Sequence, residues 1–200
     1  IIPGANSLCD NDYFTAHQSE LNDADYVIAQ LETPIDDVYN LLVAAKEAKK
    51  VTILNPAPAP DTIPDLVLSH IDFLTPNETE LAKVAGMPTE TIPEITAAAE
   101  ALLQRGVGNV LVTVGSRGAL LCNRNGSHLY PAYPQKAVDT TAAGDTFNAA
   151  FAVALAEGWT MDEAIVFANA AAGLSVTRKG AQTSIPCRSE VLDFMRDHAL

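Results

Sequence analysis

The sequence contains little cysteine and no long hydrophobic run. Its cysteines, Cys9, Cys122 and Cys187, are widely spaced, with no CxxC pair and no histidine at metal-ligand spacing. This pattern argues against a disulfide framework or a zinc site and is typical of the reduced thiols of a cytoplasmic protein, which is the location we predict. The longest apolar stretch, residues 149–156, is much shorter than the ~20 residues of a membrane-spanning helix. We therefore expect no membrane partner.

Positive charge is also scarce. Lys and Arg number 12 and Asp and Glu 25, which gives a formal net charge of −13 at pH 7. We expect no nucleic-acid partner, because no basic surface is available to displace counterions. Hydrophobic residues make up 48% of the chain, which excludes a disordered protein. Any phosphate group that the protein binds must therefore be held by local groups.

The apolar residues follow two alternating periodicities. Short apolar runs that contain β-branched residues predict buried strands, and the amphipathic segments between them predict helices. The predicted strands are residues 26–31, 51–55, 71–75 and 109–114. This alternation predicts an α/β fold, with a mostly parallel central sheet and helices on both faces. No linker or internal repeat divides the chain, so we predict one domain over residues 1–200.

The second half of the chain begins differently. The Asn125-Gly126 pair between short apolar runs predicts a hairpin. Three helices are predicted to follow, at residues 143–157, 161–177 and 189–198.

The segment Asp139-Thr140-Thr141-Ala142-Ala143-Gly144-Asp145 leads into the first of these helices and contains no bulky side chain. The first amides of a helix have no partner within the helix, and the helix dipole is positive there, so this turn favours an anion. Asp145 in the first turn is placed to accept a proton from a hydroxyl that attacks a phosphoryl group. The alternative is structural: Asp145 caps the helix and the small residues allow close packing. The segment alone favours neither interpretation.

Other polar segments follow predicted strands, where open parallel sheets bind ligands. Residues 115–118 form either a plain turn or a ligand loop. Asn77 and Glu80 form either a capping box or a pair that faces phosphate and hydrated Mg²⁺. Glu32 is either a first-turn acid or a ligand for a hydroxylated substrate. Residues 178–180 form either a basic helix end or a loop that offers backbone oxygens to a cation.

Together these motifs resemble the ribokinase-like family of carbohydrate kinases. The motifs that occur in the family's order are Thr75-Pro76-Asn77-Glu78-Thr79-Glu80, Thr113-Val114-Gly115-Ser116-Arg117-Gly118, Asp139-Thr140-Thr141-Ala142-Ala143-Gly144-Asp145 and Thr177-Arg178-Lys179-Gly180-Ala181-Gln182. Many relatives have Gly-Ala before the Gly-Asp pair, whereas Ala142-Ala143 here is similar to the members that phosphorylate ribose. The similarity covers nearly the whole chain and implies the family's Rossmann-like α/β core.

The resemblance implies a role for each motif. Asp145 is implied as the base that deprotonates the sugar hydroxyl, with the amides of Ala142, Ala143 and Gly144 as an anion hole, and Glu32 as a sugar contact. The ATP site is implied at Asn77, Thr113, Val114, Gly115, Ser116, Arg117, Gly118, Gly144 and Asn169. Glu80 is implied to reach Mg²⁺ through water, and an activating monovalent cation, normally K⁺, is implied at Asp139, Thr141, Ser175, Arg178, Gly180 and Ser184, in part through backbone oxygens.

The resemblance also implies that part of a complete kinase lies outside this chain. Family members begin with a strand that carries a sugar-binding Asp, a Gly-Gly motif, and a β-sheet lid that often forms a homodimer. None of these is found in this sequence. We therefore expect the chain to correspond to the C-terminal two-thirds of a kinase, without the N-terminal strands and lid. We expect it to expose an apolar sheet edge and to phosphorylate sugar at a negligible rate by itself.

Three functions follow from these observations. The leading hypothesis is transfer of the γ-phosphoryl group of MgATP to a primary sugar hydroxyl, with D-ribose giving ribose 5-phosphate. The second is the same chemistry on another sugar or on a nucleoside. The third is a non-catalytic nucleotide-binding module, against which the intact Gly144 and Asp145 count.

Overall fold

The predicted strand segments form the consecutive parallel strands of one sheet. The computed structural model describes residues 4–198, and its strands, which lie in chain order across the sheet, are β1 Tyr26–Ala29, β2 Val51–Leu54, β3 Phe73–Leu74, β4 Asn109–Thr113, β5 Ala119–Asn123 and β6 Gly126–Tyr130. Strands β1 to β4 run parallel, with Ile53 in register with both Ile28 and Phe73. The carboxyl ends of these four strands therefore share one edge of the sheet. The predicted hairpin corresponds to β5 and β6.

Helices connect and follow these strands. Their bounds are α1 Asn11–Ala16, α2 Gln18–Asp23, α3 Ile35–Glu47, α4 Asp65–Leu68, α5 Glu78–Ala85, α6 Ile92–Gln104, α7 Ala143–Ala156, α8 Met161–Ser175 and α9 Arg188–Asp197. Helix α3 shows how the pattern produces the fold: it begins after Pro34, buries Val38, Leu42 and Ala45, and packs on β1 and β2. The sequence predicted most of these helices, but it gave no prediction for α1 and α2, which bury no residue.

The chain divides into two compact units. One contains the chain up to Val112 together with residues 121–128, and the other contains residues 113–120 and the chain from Leu129 onward. In the first unit, fully buried Ile53, Leu74 and Leu102 belong to the core. In the second, α7 packs against α8, and α8 against α9. The chain passes from one unit to the other more than once, and one domain over residues 1–200 stays a prediction.

Strand β1 differs from its prediction as a buried strand. It is the first strand in the sheet order, and Ile28 on it is 46% exposed. The reason is its position, because an edge strand has a neighbour on one side only. An apolar side chain is therefore exposed at this edge, as the resemblance implied. Within residues 4–198, every helix is too short or too polar to cross a membrane.

Candidate active site

Helix α7 begins without a side-chain cap. Its N-cap residue is Ala142, which lies in the left-handed region at φ 61° and makes no side-chain hydrogen bond to the helix. Helices α5, α6 and α8 instead begin with capping boxes at Asn77, Thr91 and Thr160. A left-handed alanine costs roughly 1–2 kcal/mol, and strained residues of this kind cluster at functional sites. Because Ala142 rather than Asp145 is the N-cap, the interpretation of Asp145 as the helix cap is not supported.

The carbonyl groups of this turn are held firmly. The backbone amide and the hydroxyl of Thr146 both donate to Ala142 O, at 2.9 and 2.8 Å, and Asn148 Nδ2 donates to Gly144 O at 2.9 Å. The Ala143 amide donates to Thr140 O at 3.2 Å. These bonds orient the turn so that the amide ends of the first helical residues point away from the helix.

Gly144 and Asp145 are both exposed at this turn. A Cβ atom added to Gly144 would meet no atom within 4 Å. Close packing therefore does not explain the glycine, which weakens the structural alternative for this motif. The geometry combines an exposed helix start, open space above Gly144 and a carboxylate in the first turn. Such a site suits an anion next to a proton acceptor.

Asp139 joins the loop before α7 to the loop after α8. Its Oδ1 accepts a hydrogen bond from the Thr141 amide at 3.0 Å, and its Oδ2 accepts one from the Gly180 amide at 2.9 Å. These bonds, first of all the one from Gly180, lower the pKa of the Asp139 carboxyl to about 2. Asp139, Thr141 and Gly180, three of the residues implied in cation binding, are thus joined by hydrogen bonds.

In the other residues implied in cation binding, namely Ser175, Ser184 and Arg178, the side chains make hydrogen bonds to other groups. Ser175 and Ser184 are fully buried, and their hydroxyls donate to Ala172 O and Ala181 O. The guanidinium group of Arg178 pairs with Glu190 at 2.6 Å. Its side chain, being positively charged and paired, is unsuited to cation binding. Any cation role of Arg178 must therefore use its backbone carbonyl.

The loop after β4 divides into exposed and buried residues. Gly115 and Ser116 are exposed, whereas Val114 is 2% exposed and belongs to the core. Gly118 has a packing reason to be glycine: its φ is 106°, and an added Cβ would lie 2.0 Å from Tyr130 O. Thr113 and Arg117 are partly buried. Of this motif, the structure thus presents chiefly Gly115 and Ser116 to solvent.

Asn169 lies inside the second unit. It is 7% exposed, and its Nδ2 donates to Tyr130 O at 3.2 Å and to Pro131 O at 3.4 Å. Its amide group therefore holds the segment after β6. A direct contact between Asn169 and a nucleotide stays a prediction.

Asn77 and Glu80 form the predicted capping box of α5. Asn77 Oδ1 accepts from the Glu80 amide at 2.9 Å, and Glu80 Oε2 accepts from the Asn77 amide at 2.8 Å. Burial raises the pKa of the Glu80 carboxyl, against the opposing effect of the Asn77 amide. The capping box uses Asn77 Oδ1 and Glu80 Oε2, whereas Asn77 Nδ2 and Glu80 Oε1 take no part in it, so the capping and ligand-binding interpretations are compatible.

The described residues contain acidic side chains but no cluster of them that could hold a metal ion by itself. Within residues 4–198 no cluster of three or more His, Cys, Asp or Glu side chains could hold a metal ion. Mg²⁺ in phosphate-transfer sites is bound mainly by phosphate oxygens and water, with one or two protein carboxylates. The partly buried Glu80 fits that mode. A monovalent-cation site at the Asp139 carboxylate stays a prediction.

Each unit carries part of the implied site. Glu32, Asn77 and Glu80 belong to the first unit, and Glu32 is exposed just beyond β1. The loop after β4, the start of α7 and the loop that contains Asp139 belong to the second. The sequence assigned no role to Asn55, a buried polar residue that directly follows β2. Its position directly before a proline cluster was the available signal.

Comparisons with known proteins identify the family and the fold that the chain is similar to. Residues 1–188 match the model of the pfkB family carbohydrate kinases. The chain is 40% identical over 199 residues to the ribokinase of Haemophilus influenzae, covering 100% of this chain and 64% of that protein. It is 34% identical to the deoxyribokinase of Salmonella typhi, covering 98% of this chain and 64% of that protein.

A solved structure is similar over most of the chain. The structure of Arabidopsis thaliana ribokinase complexed with ribose and ATP superimposes with a TM-score of 0.85 at 40% identity, covering 90% of this chain and 59% of that one. The likeness confirms the α/β fold with its mostly parallel sheet. The chain thus spans less than two thirds of the length of each of these relatives.

Proposed function

The chain belongs to the pfkB family of carbohydrate kinases, and on that premise we propose that it carries the phosphoryl-transfer centre of an ATP-dependent sugar kinase. The reaction moves the γ-phosphoryl group of ATP to the primary hydroxyl of D-ribose, giving ADP and ribose 5-phosphate. The observation that carries this proposal is the start of α7, which has no side-chain cap, open space at Gly144 and Asp145 in its first turn.

The chemistry needs a base and an anion hole. As the sugar oxygen bonds to the γ-phosphorus, its proton passes to the Asp145 carboxylate, and the bond from that phosphorus to the β–γ bridging oxygen breaks. The amides at Ala142, Ala143 and Gly144 stabilise the negative charge on the phosphoryl oxygens, and the Ala143 amide must then be shared between the phosphoryl group and Thr140 O, to which it donates at 3.2 Å. The hydrogen bonds of Thr146 and Asn148 to this turn keep the donors in place before the substrate arrives.

Nucleotide binding uses the loop after β4 and the start of α5. Exposed Gly115 and Ser116 contact the nucleotide, while buried Val114 and Gly118 shape the loop. Thr113, Arg117 and Asn77 complete the set. Asn169 contributes through the segment after β6 that it holds.

Cations complete the proposed site. A Mg²⁺ ion, when bound, neutralises charge on the transferring phosphates, and Glu80 holds one of its waters. The Asp139 carboxylate, with Thr141, Gly180 and the backbone oxygens of Ser175, Arg178 and Ser184, holds K⁺ beside the loop that leads into α7. Holding that loop orients the α7 amides.

The acceptor is proposed as ribose, with Glu32 as a contact to its hydroxyl groups. The ribokinase relatives at 40% identity support this choice. The deoxyribokinase relative makes 2-deoxyribose the second candidate. Nothing in the described residues favours a nucleoside acceptor over these sugars.

The test measures ADP release from MgATP with ribose, 2-deoxyribose, fructose or adenosine as acceptor. It uses the 200-residue chain and any longer protein that contains it. Turnover that is fastest with ribose supports the proposal. Turnover that is fastest with 2-deoxyribose would show that 2-deoxyribose, and not ribose, is the acceptor. Binding of an ATP analogue in Mg²⁺ with no turnover on any acceptor, even in the longer protein, would indicate a nucleotide-binding module and end the proposal.

A further inference from the structure

Asn55 joins the ends of three neighbouring strands. It directly follows β2, is 9% exposed, and has no role in the sites described above. Its Oδ1 accepts a hydrogen bond from Gln30 Nε2 at 3.1 Å, and its Nδ2 donates to Thr75 O at 2.7 Å. Gln30 directly follows β1, and Thr75 directly follows β3. One side chain therefore connects both neighbours of its own strand.

Backbone bonds hold the same junction. The Asn55 amide donates to Ala29 O and the Thr75 amide to Leu54 O, each at 2.9 Å. The Leu31 amide donates to Ala57 O at 2.9 Å. Backbone hydrogen bonds therefore link the ends of these three strands. The side chain of Asn55 adds a hydrogen bond to the segment on each side of its own strand.

The residue type matters at this position. The amide side chain of asparagine offers an acceptor oxygen and a donor NH₂ on two separate atoms at the same end, so it can bond in two directions at once. Aspartate would turn an oxygen towards the Thr75 carbonyl, and leucine would remove both bonds while keeping nearly the same volume. Buried polar groups that lose a partner are costly, so the junction depends on asparagine.

The two strand ends that Asn55 connects carry proposed substrate contacts. Glu32, the sugar contact, follows Gln30 by two positions, and Asn77, which caps the helix of the Mg²⁺-facing Glu80, follows Thr75 by two positions. We propose that Asn55 is a positioning residue that fixes Glu32 relative to Asn77 and Glu80. It thereby sets the distance between the acceptor and the phosphate end of the nucleotide. This inference rests on the proposed kinase function.

The first test is hydrogen exchange in the 200-residue chain, which needs no activity. The variant is Asn55→Leu, and the matched control is Thr52→Val in the same strand. Thr52 is also fully buried, and its hydroxyl donates to His70 O and accepts from the Asp72 amide at 3.0 Å. We expect Asn55→Leu to speed exchange at Leu31 and Glu80 by about tenfold. Thr52→Val should act at Asp72 and leave Leu31 and Glu80 unchanged.

The second test separates positioning from general stability by kinetics in a protein that phosphorylates sugar. Asn55→Leu should raise KM for both sugar and MgATP by about fivefold or more. Thr52→Val should lower the melting temperature without changing either KM. Equal effects of the two variants, or unchanged exchange at Leu31 and Glu80 in Asn55→Leu, would overturn the proposal.

A milder variant covers the case in which Asn55→Leu does not fold. Gln30→Met removes the bond to β1 and keeps the bond from Asn55 to Thr75, so it should speed exchange at Leu31 and raise KM for the sugar alone. No change at Leu31 would overturn the proposal. If neither the 200-residue chain nor a longer protein that contains it phosphorylates a sugar, the kinase proposal fails, and the exchange comparison still decides whether Asn55 holds the two strand ends.

Discussion

The Gly180 amide donates a hydrogen bond of 2.9 Å to Asp139 Oδ2, although the two residues are 41 positions apart in the sequence. This bond ties the loop before α7 to the loop after α8. The same carboxylate accepts from the Thr141 amide, one residue before the left-handed Ala142. Asp139 therefore connects the loop after α8 to the turn before the helix that carries Asp145.

Asp139→Asn tests that connection. Asparagine keeps the size of the side chain, but it is a weaker acceptor than a carboxylate, so exchange of the Gly180 amide should rise about tenfold. Activation by KCl, compared with tetramethylammonium chloride at equal ionic strength, should be lost. Glu163→Gln is the matched control, because its carboxylate also accepts a backbone amide, that of Thr160 at 2.9 Å, but at the opposite end of α8, and it should keep the K⁺ response. Retained activation in Asp139→Asn would remove Asp139 from the cation site.

Asp145→Asn tests the base. Asparagine has nearly the same shape but cannot take a proton, so kcat should fall by a factor of about 10² or more, with ADP affinity retained. Asp36→Asn is the control, since Asp36 is also an exposed acid in the first turn of a helix, α3. Its activity should be unchanged. An unchanged kcat in Asp145→Asn, measured in an active protein, would exclude the proposed mechanism.

Gly144→Ala tests whether the transferring phosphoryl group occupies the open space next to Gly144. The added methyl group meets no protein atom, and alanine is favoured over glycine in a helix by up to about 1 kcal/mol, so unfolding by urea should need slightly more denaturant. Phosphoryl transfer should nevertheless fall about tenfold or more, because the methyl group occupies the anion position. Gly173→Ala in α8 is the matched control. Its Cβ would lie 3.8 Å from the nearest atoms, so it should stabilise the chain and leave activity unchanged. Full activity in Gly144→Ala would place the phosphoryl group elsewhere.

Glu80→Gln separates the role of the Glu80 side chain as a helix-capping acceptor from the effect of its negative charge. Glutamine keeps the cap acceptor and removes a carboxylate whose pKa is raised by burial, so the variant should melt higher at neutral pH and bind MgATP about tenfold more weakly. A raised folded pKa means that this stability difference is absent below the ordinary value of 4.5 and appears as the pH rises through the folded pKa.

Glu94→Gln, at the same position of α6, is the control with the opposite sign. The Thr91 amide and hydroxyl lower the pKa of Glu94 from 4.5, so its stabilising effect is present above that value and is lost as the pH falls through the lower folded pKa. The variant should therefore melt lower at neutral pH, converge with the unsubstituted protein in acid, and bind MgATP normally. Melting curves across this pH range would contradict the account if both variants shifted in the same direction.

The local features of the chain were predictable from its sequence. The helix that starts at Ala143, the capping box at Asn77 and the Asn125-Gly126 hairpin each depend on a few neighbouring residues. The motifs and their order were sufficient to indicate the family. The burial of β1 was predicted wrongly, because the composition of a strand does not state whether it has a neighbour on each side.

By itself, then, the sequence determined the alternation of strands and helices and the small-residue turn with an acid in the following helix, since periodicity and capping act within a few residues. The tertiary structure alone decided that Asp139 meets Gly180, that Asn55 joins Gln30 and Thr75, and that Glu80 is partly buried. The physical reason is that each of these contacts or environments depends on how distant segments pack, and packing is fixed only when the whole core forms.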